Sequence, residues 1–311
     1  MTGVLLVNMG GANSPSELKI FLARMFKDPF ILPLGKLGRN ILSFLISNTR
    51  YKKSWKKYEL IGGSPIIEAT HKTMKALQNR MGDDYNVKMA FSYSSPLIKE
   101  SLLSFINEGV NKIIVIPLYP QSSISTTSSV EGEVNEIIAK NKNIRITFIR
   151  EFYKNEGFVN FWSNLILDHI NHDAFDNPFL MFSAHSIPEY LVAKGDTYPK
   201  AIKECAEAIA GKLNYKFEVA FQSGMKKDKW IGPDLKDKLK ELSSKGINEI
   251  IIVPISFVNE NLETLYDLDH EIIPFGKIKL GIRNLSRVSI PVADALFINL
   301  LRNLIETNSV K

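Results

Sequence analysis

The chain reads as an α/β protein of two similar Rossmann-like domains, each built on a parallel sheet, with a cleft between them. Three observations carry that expectation. Short apolar runs alternate with amphipathic segments of helical period along the whole sequence, the pattern of strand and helix units joined by right-handed crossovers. The stretch GVNKIIVIPLYPQSS from Gly109 is replayed as GINEIIIVPISFVNE from Gly246, and MAFSY from Met89 is echoed by VAFQS from Val219. At 311 residues with 45% hydrophobic side chains, the chain also has apolar material for two ordinary cores. The expected domains are 1–152 and 153–311, with the last helix free to pack back onto the first.

In order, Val4 to Asn8 is a strand that ends in Met9, Gly10, Gly11 and Ala12, after which Ser14, Pro15 and Glu17 open a helix with a capping box. The GxGxxG spacing is absent, so these glycines read as permitting a tight turn rather than holding phosphate. FILPLGKLGRNILSFLI, from Phe30 to Ile46, is rich in large apolar residues and broken by Pro33, Gly35 and Gly38. It is too short to span a bilayer. It reads equally as a lid packed on the core and as an apolar lip facing a flat hydrophobic ligand or a membrane surface. Arg50 to Tyr58 interleaves lysines with aromatics and reads as a solvated helix face in preference to a dedicated anion site, and IGGSP at Ile61 breaks the chain before a helix from Ile66 to Met81.

Val87 to Phe91 is a strand, and Ile98, Leu102, Phe105 and Ile106 line one face of the helix after it. The strand Lys112 to Leu118 runs into YPQSSISTTSSVEGE, where Ser and Thr fill 122–129 apart from Ile124, ahead of a helix expected to begin near Val130. Hydroxyls at a helix amino terminus are either surplus caps or a cup for carboxylate or phosphate. Ile144 to Ile149 is the last strand of the first half.

In the second half, PFLMFSAHSIP from Pro178 to Pro188 is an apolar strand that delivers His185 to a turn, where open α/β sheets place their ligands. The other four histidines, His71, His169, His172 and His270, fall in segments of helical period. In FVNENLETLYDLDHE, from Phe257 to Glu271, the carboxylates Glu260, Glu263, Asp267 and Glu271 fall within an arc of about 80° at α-helical spacing. Such like charges repel unless cations sit among them. The ridge is thus either an exposed acidic face or, opposite a cleft histidine, a path for a divalent metal. Imidazole with carboxylate suits Fe2+ better than it suits soft, thiolate-seeking metals.

The formal charge of +6, from 39 basic and 33 acidic residues, permits an anionic partner or surface, and no nucleic-acid-binding signature is present. The single cysteine, Cys205, excludes an internal disulfide, a thiolate zinc site and a four-cysteine iron–sulfur cluster. The N-terminal residues lack the order of a signal peptide and no apolar run reaches 18 residues, so a soluble cytoplasmic protein is expected.

Six segments in order resemble the ferrochelatase family: LLVNMGG at Leu5, IGGSP at Ile61, YPQSSISTTSS at Tyr119, FSAHSIP at Phe182, FQS with WIGP at Phe221 and Trp230, and FVNENLETLYDLDHE at Phe257. The resemblance implies the type II chelatase fold. It also implies insertion of Fe2+ into protoporphyrin IX in the interdomain cleft with release of two protons, porphyrin and ferrous iron being substrates and no cofactor being held permanently. The family's essential histidine and glutamate map onto His185 and Glu263, and its acidic ridge onto Asp267 and Glu271, so that these four form the expected metal path. The porphyrin-facing methionine maps onto Met9, where coproporphyrin-using relatives usually have tyrosine, and the tyrosine of an arginine–tyrosine pair maps onto Tyr93. Phe30, Ile31 and Leu34 of the lip, with Ser122, Thr126, Thr127, Ser186 and Trp230, complete the expected contacts with the macrocycle. Departures from the family pattern fall at Ala12, Ser92, Ser128, Gly224, Lys226 and Asn261. The competing expectations are a coproporphyrin III ferrochelatase, a cobalt or nickel tetrapyrrole chelatase, and a non-catalytic two-domain haem carrier.

Overall fold

The computed structural model describes residues 1–173, 175–224 and 229–309, so Lys226 lies outside the described residues. Two four-stranded sheets are present, both parallel throughout. The first holds β1 (Thr2–Asn8), β2 (Tyr85–Phe91), β3 (Lys112–Pro117) and β4 (Arg145–Phe148) in the order β2-β1-β3-β4. The second holds β5 (Phe179–His185), β6 (Phe217–Gln222), β7 (Glu249–Val253) and β8 (Asn284–Arg287) in the order β6-β5-β7-β8. The two orders are the same. The echoed segments occupy equivalent strands, MAFSY and VAFQS running off β2 and β6, and KIIVIP and EIIIV forming β3 and β7. The inner strands β1, β3, β5 and β7 are the uninterrupted apolar runs, as strands covered on both faces must be.

The chain divides into two compact units, 1–151 with 292–311, and 152–291. The stretch from 292 onward, expected in the second domain, thus belongs with the first unit. Its helix α10 (Ala295–Ser309) packs on α3 (Ile66–Met81) and β3, burying Phe297, Ile298, Leu300, Leu301 and Ile305. The Tyr85 hydroxyl donates to Ser309 Oγ at 3.1 Å.

In unit 1, Ser14 Oγ accepts the Glu17 N–H at 3.2 Å to cap α1 (Pro15–Met25). Helix α2 (Lys36–Leu60) starts from Gly35, so Gly38, read as a break, lies inside it. Its amphipathicity is inverted. Ser43 and Ser47 are buried, with the Ser43 hydroxyl donating to the Ala23 carbonyl of α1 at 2.7 Å, while Leu37 and Phe44 are 74% and 67% exposed. The remaining helices of the unit are α4 (Ile98–Asn107) and α5 (Thr127–Ile138), which begins three residues earlier than its expected start, with Thr126 at the N-cap position. Leu5, Val7, Phe105, Val115 and Val130 are among the core residues.

Unit 2 sets α6 (Glu156–His172), α7 (Glu189–Ala193), α8 (Tyr198–Leu213) and α9 (Leu235–Ser244) about its sheet, over a core that includes Met181, Ala220, Leu239 and Ile252. After β7 the acidic segment forms a π-helix, Glu263–Ile272, followed by a second π-helical stretch, Phe275–Lys279. Among the described residues no helix is long and apolar enough to cross a membrane.

Candidate functional site

His185 is the last residue of β5 and stands at the carboxyl end of the unit 2 sheet. Its backbone is held on both sides: the His185 N–H donates to Ser256 Oγ at 3.3 Å, and the Tyr198 hydroxyl donates to the His185 carbonyl at 3.1 Å. The imidazole Nδ1 lies 2.6 Å from the Ser186 carbonyl oxygen. A carbonyl can only accept, so the proton sits on Nδ1, and the neutral ring carries its lone pair on Nε2. Trp230 stands beside the ring, with centroids 6.3 Å apart and planes tilted by 58°. Ser186, expected to touch the ligand, is buried and its hydroxyl donates to the Ile231 carbonyl at 2.8 Å. It fastens the Trp230 loop to the strand end, as does the Ile231 N–H bond to the Ile187 carbonyl at 2.9 Å. Gly224 passes the same place, where a Cβ would come into ordinary van der Waals contact with Trp230 Cβ at 3.4 Å, so the structure does not explain this departure.

Gln222 ties the end of β5 to the backbone of Glu263. It is the register partner of His185 across β5 and β6, and its amide nitrogen donates to the Glu263 carbonyl at 3.3 Å while Ser183 Oγ donates to its amide oxygen at 2.5 Å. The next residue, Ser223, has φ +62°, a left-handed conformation costly for a side chain other than glycine. From there its hydroxyl donates to Asp267 Oδ2 at 2.6 Å. Two consecutive residues at the end of β6 thus address two of the candidate carboxylate residues. These roles of Gln222 and Ser223 were not expected, since their partners lie 41 and 44 positions away in the chain.

The π-helix alters the acidic ridge. With i→i+5 bonding the coil widens, and residues four or five apart line up rather than three or four. Glu263, Asp267 and Glu271 keep that spacing and are all half-buried. Glu260 leaves the set, because it precedes the helix and its carboxylate faces inward. Its Oε1 accepts from Arg287 Nη1 at 2.7 Å and the Ile290 N–H at 2.8 Å, and its Oε2 accepts from the Thr264 hydroxyl. Arg287, 6% exposed, grips Asp269 with Nε and Nη2, both at 2.7 Å. Burial works to lower the Arg287 pKa, but the Asp269 and Glu260 carboxylates outweigh it and the net shift is upward. The departure at Asn261 has a local reason. Asn261 Oδ1 accepts the Thr264 N–H at 2.9 Å and Thr264 Oγ1 accepts the Asn261 N–H at 3.0 Å, a reciprocal cap on the π-helix. Among the described residues no three His, Cys, Asp or Glu side chains converge into a metal-holding group, so the donors are strung along the helix rather than gathered.

In unit 1 the half-buried Met9 follows β1, its N–H held by Asn8 Oδ1 at 2.8 Å. Gly10, at φ +94°, and Gly11 admit the side chains of Ser94 and Ser64, which a Cβ on either would strike, so these glycines serve a close approach. Tyr93 is buried, its hydroxyl donating to Asp28 Oδ2 at 2.6 Å, and burial, reinforced by that carboxylate, holds its pKa well above the ordinary tyrosine value. Ser92 hydrogen-bonds the side chain of Tyr119, whose pKa burial also raises. Phe30 and Ile31 are half-buried, and Leu34 is exposed. At the α5 terminus Ser122 and Thr126 are half-buried, Thr126 makes no side-chain cap bond, and the Thr127 hydroxyl is wholly buried without a partner. The Ser128 N–H donates to the Ser123 carbonyl at 3.2 Å. The first turn already meets an internal anion, since the Ser129 hydroxyl donates to Asp28.

Residues 1–309 match the family model described as Ferrochelatase. The ferrochelatase of Aquifex aeolicus (strain VF5) is 34% identical over 310 residues, covering 98% of this chain and 98% of that protein. That of Gloeothece citriformis (strain PCC 7424) is 34% identical, covering 97% of this chain and 81% of the relative, and that of Rickettsia bellii (strain OSU 85-389) is 36% identical over 86% and 76%. Among solved structures, SirB from Bacillus subtilis with Fe3+ superposes with a TM-score of 0.63 at 12% identity over 100% of this chain and 98% of that one. CbiX, described as the terminal enzyme for siroheme biosynthesis in denitrifying bacteria, superposes at 0.55 and 12% identity over 98% of both. These two likenesses establish the fold.

Proposed function

The chain belongs to the ferrochelatase family, whose metal-insertion chelatases place Fe2+ in a porphyrin in haem synthesis, and from that premise we propose that its substrate is protoporphyrin IX and that His185 receives pyrrole protons at Nε2. The observation that carries this reading is the bond from His185 Nδ1–H to the Ser186 carbonyl, which leaves the second ring nitrogen basic at the carboxyl end of the sheet. A free porphyrin is flat and carries two protons on its central nitrogens. A site that favours a buckled ring tilts the pyrroles, exposes their lone pairs and lowers the barrier to metal entry. Fe2+ enters as the two protons leave. Gln222, the register partner of His185, bonds the Glu263 backbone carbonyl, and Glu263, Asp267 and Glu271 form an acidic series along the π-helix, which suits their carboxylates to carry protons outward or iron inward.

Replacing His185 with alanine is expected to abolish iron insertion while porphyrin still binds, as read by fluorescence of the bound macrocycle with and without Fe2+. Turnover in that variant would refute the role of His185. Met9, Phe30, Ile31, Leu34, Tyr93, Ser122, Thr126, Thr127 and Trp230 remain the proposed neighbours of the macrocycle. Met9 favours protoporphyrin over coproporphyrin, and a preference for coproporphyrin in parallel assays would reverse that assignment. The reaction needs no resident cofactor in this reading, and with Cys205 as its single, buried cysteine the sequence has no thiolate set for an iron–sulfur cluster.

The inverted α2 supports the reading that the protein rests on a membrane surface. Leu37, Ile41, Phe44 and Leu45 are exposed on a helix that also carries Lys36 and Arg39, the chemistry of an interfacial helix on anionic lipid. Leu37→Ser with Phe44→Ser is expected to reduce sedimentation with anionic vesicles several-fold, with unchanged thermal stability because both side chains already face water.

A further inference from the structure

Asp28 lies two residues before Phe30 and is half-buried. Its carboxylate collects donors from three parts of unit 1. Oδ1 accepts the Phe30 N–H at 2.8 Å, and Oδ2 accepts the Tyr93 hydroxyl at 2.6 Å together with the hydroxyl of Ser129. Tyr93 follows β2 and Ser129 belongs to the first turn of α5, so one carboxylate ties the Phe30–Leu34 loop to both elements. Tyr93 is itself braced: the Phe21 ring stands edge-on at 5.8 Å, and the Arg24 guanidinium donates to the Tyr93 carbonyl at 3.3 Å. Hydrogen bonds to a carboxylate are stronger than neutral ones. Gly132 stands three residues beyond Ser129 on the same face of α5. A Cβ at 132 would lie 3.0 Å from the Phe30 ring, so the ring rests against bare backbone. The loop is held on α5 twice, by a hydrogen-bonded pin at Ser129 and by a notch at Gly132.

We infer that Asp28 is a positioning residue which, with the Gly132 notch, fixes where Phe30 and Ile31 meet the porphyrin. The inference rests on the reading that these two side chains contact the macrocycle. Asp28 acts on neither iron nor pyrrole protons, and its removal alters porphyrin binding rather than the insertion step.

The test uses the full chain with Asp28→Asn, Gly132→Ala and, as a check on the underlying reading, Phe30→Ala. An amide at 28 turns one of the two acceptor oxygens into a donor facing hydroxyls. Asp28→Asn is expected to speed amide hydrogen exchange across residues 28–34 of the free enzyme and to raise the porphyrin KM about 3- to 10-fold, with kcat held within about twofold. Gly132→Ala raises KM by displacing the ring while the carboxylate bonds persist, and Ser129→Ala shifts KM in the same direction by less. Unchanged exchange in Asp28→Asn, or a fall in kcat at constant KM, overturns the inference. A KM raised by Phe30→Ala but not by Asp28→Asn overturns the role of Asp28 alone. A KM unchanged by Phe30→Ala instead overturns the placement of the loop at the macrocycle, and the inference with it.

Discussion

At the scale of single residues, the chemistry turns on how few atoms are left uncommitted. His185 has its Nδ1 proton fixed by a neighbouring carbonyl, and Gln222 has its amide oxygen bonded to Ser183 and its amide nitrogen to Glu263. Gln222→Ala removes a side chain that bonds both Ser183 on the strand of His185 and the backbone of Glu263. It is expected to lower kcat about tenfold with little change in porphyrin KM, the loss of roughly one positioned hydrogen bond, as read by steady-state kinetics. Arg287 is the opposite case, a buried cation fully engaged by the Glu260 and Asp269 carboxylates. Arg287→Met leaves the carboxylates of Glu260 and Asp269 without their shared cation and is expected to cost about 3–5 kcal/mol in urea unfolding, with Glu260→Gln and Asp269→Asn together restoring much of it. His185 was legible in the sequence because it closes an apolar run, whereas Asp28 was not: its side-chain partners lie 65 and 101 positions away.

At the scale of elements, the acidic segment was legible as a helix bearing carboxylates but not as a π-helix. A spacing of four residues satisfies a 3.6-residue coil and a wider one alike. The reciprocal cap of Asn261 and Thr264 is readable only once the start of the helix is known. Helix α2 hid its inversion for a similar reason, since periodic apolar residues look the same whether they face a core or water. Helix α5 offers a pH test. Burial pushes the Glu133 carboxyl up to about 7 from an ordinary 4.5. Between those values the unfolded chain sheds the proton and the folded chain retains it, so stability falls as pH rises through the window and the penalty stays constant above it. Glu133→Gln is therefore expected to leave stability unchanged near pH 4 and to raise it by about 1–2 kcal/mol at pH 8, after allowance for solvent screening, as read by thermal melts at the two pH values.

At the scale of the molecule, the repeated strand order was legible because parallel inner strands must be apolar throughout, and the echo of β2 and β3 in β6 and β7 survives in their residues. The allegiance of the last helix was left open, because an amphipathic stripe does not name the surface that covers it. Its attachment to α3 and β3 sets a timetable for synthesis. A ribosome makes residues 295–309 after all of unit 2, so the half of the protein that emerges first is the half completed last. Until then the nascent chain carries an open apolar seat awaiting Phe297, Leu300 and Leu301, and a message cut short at codon 291 would cripple the unit translated earliest.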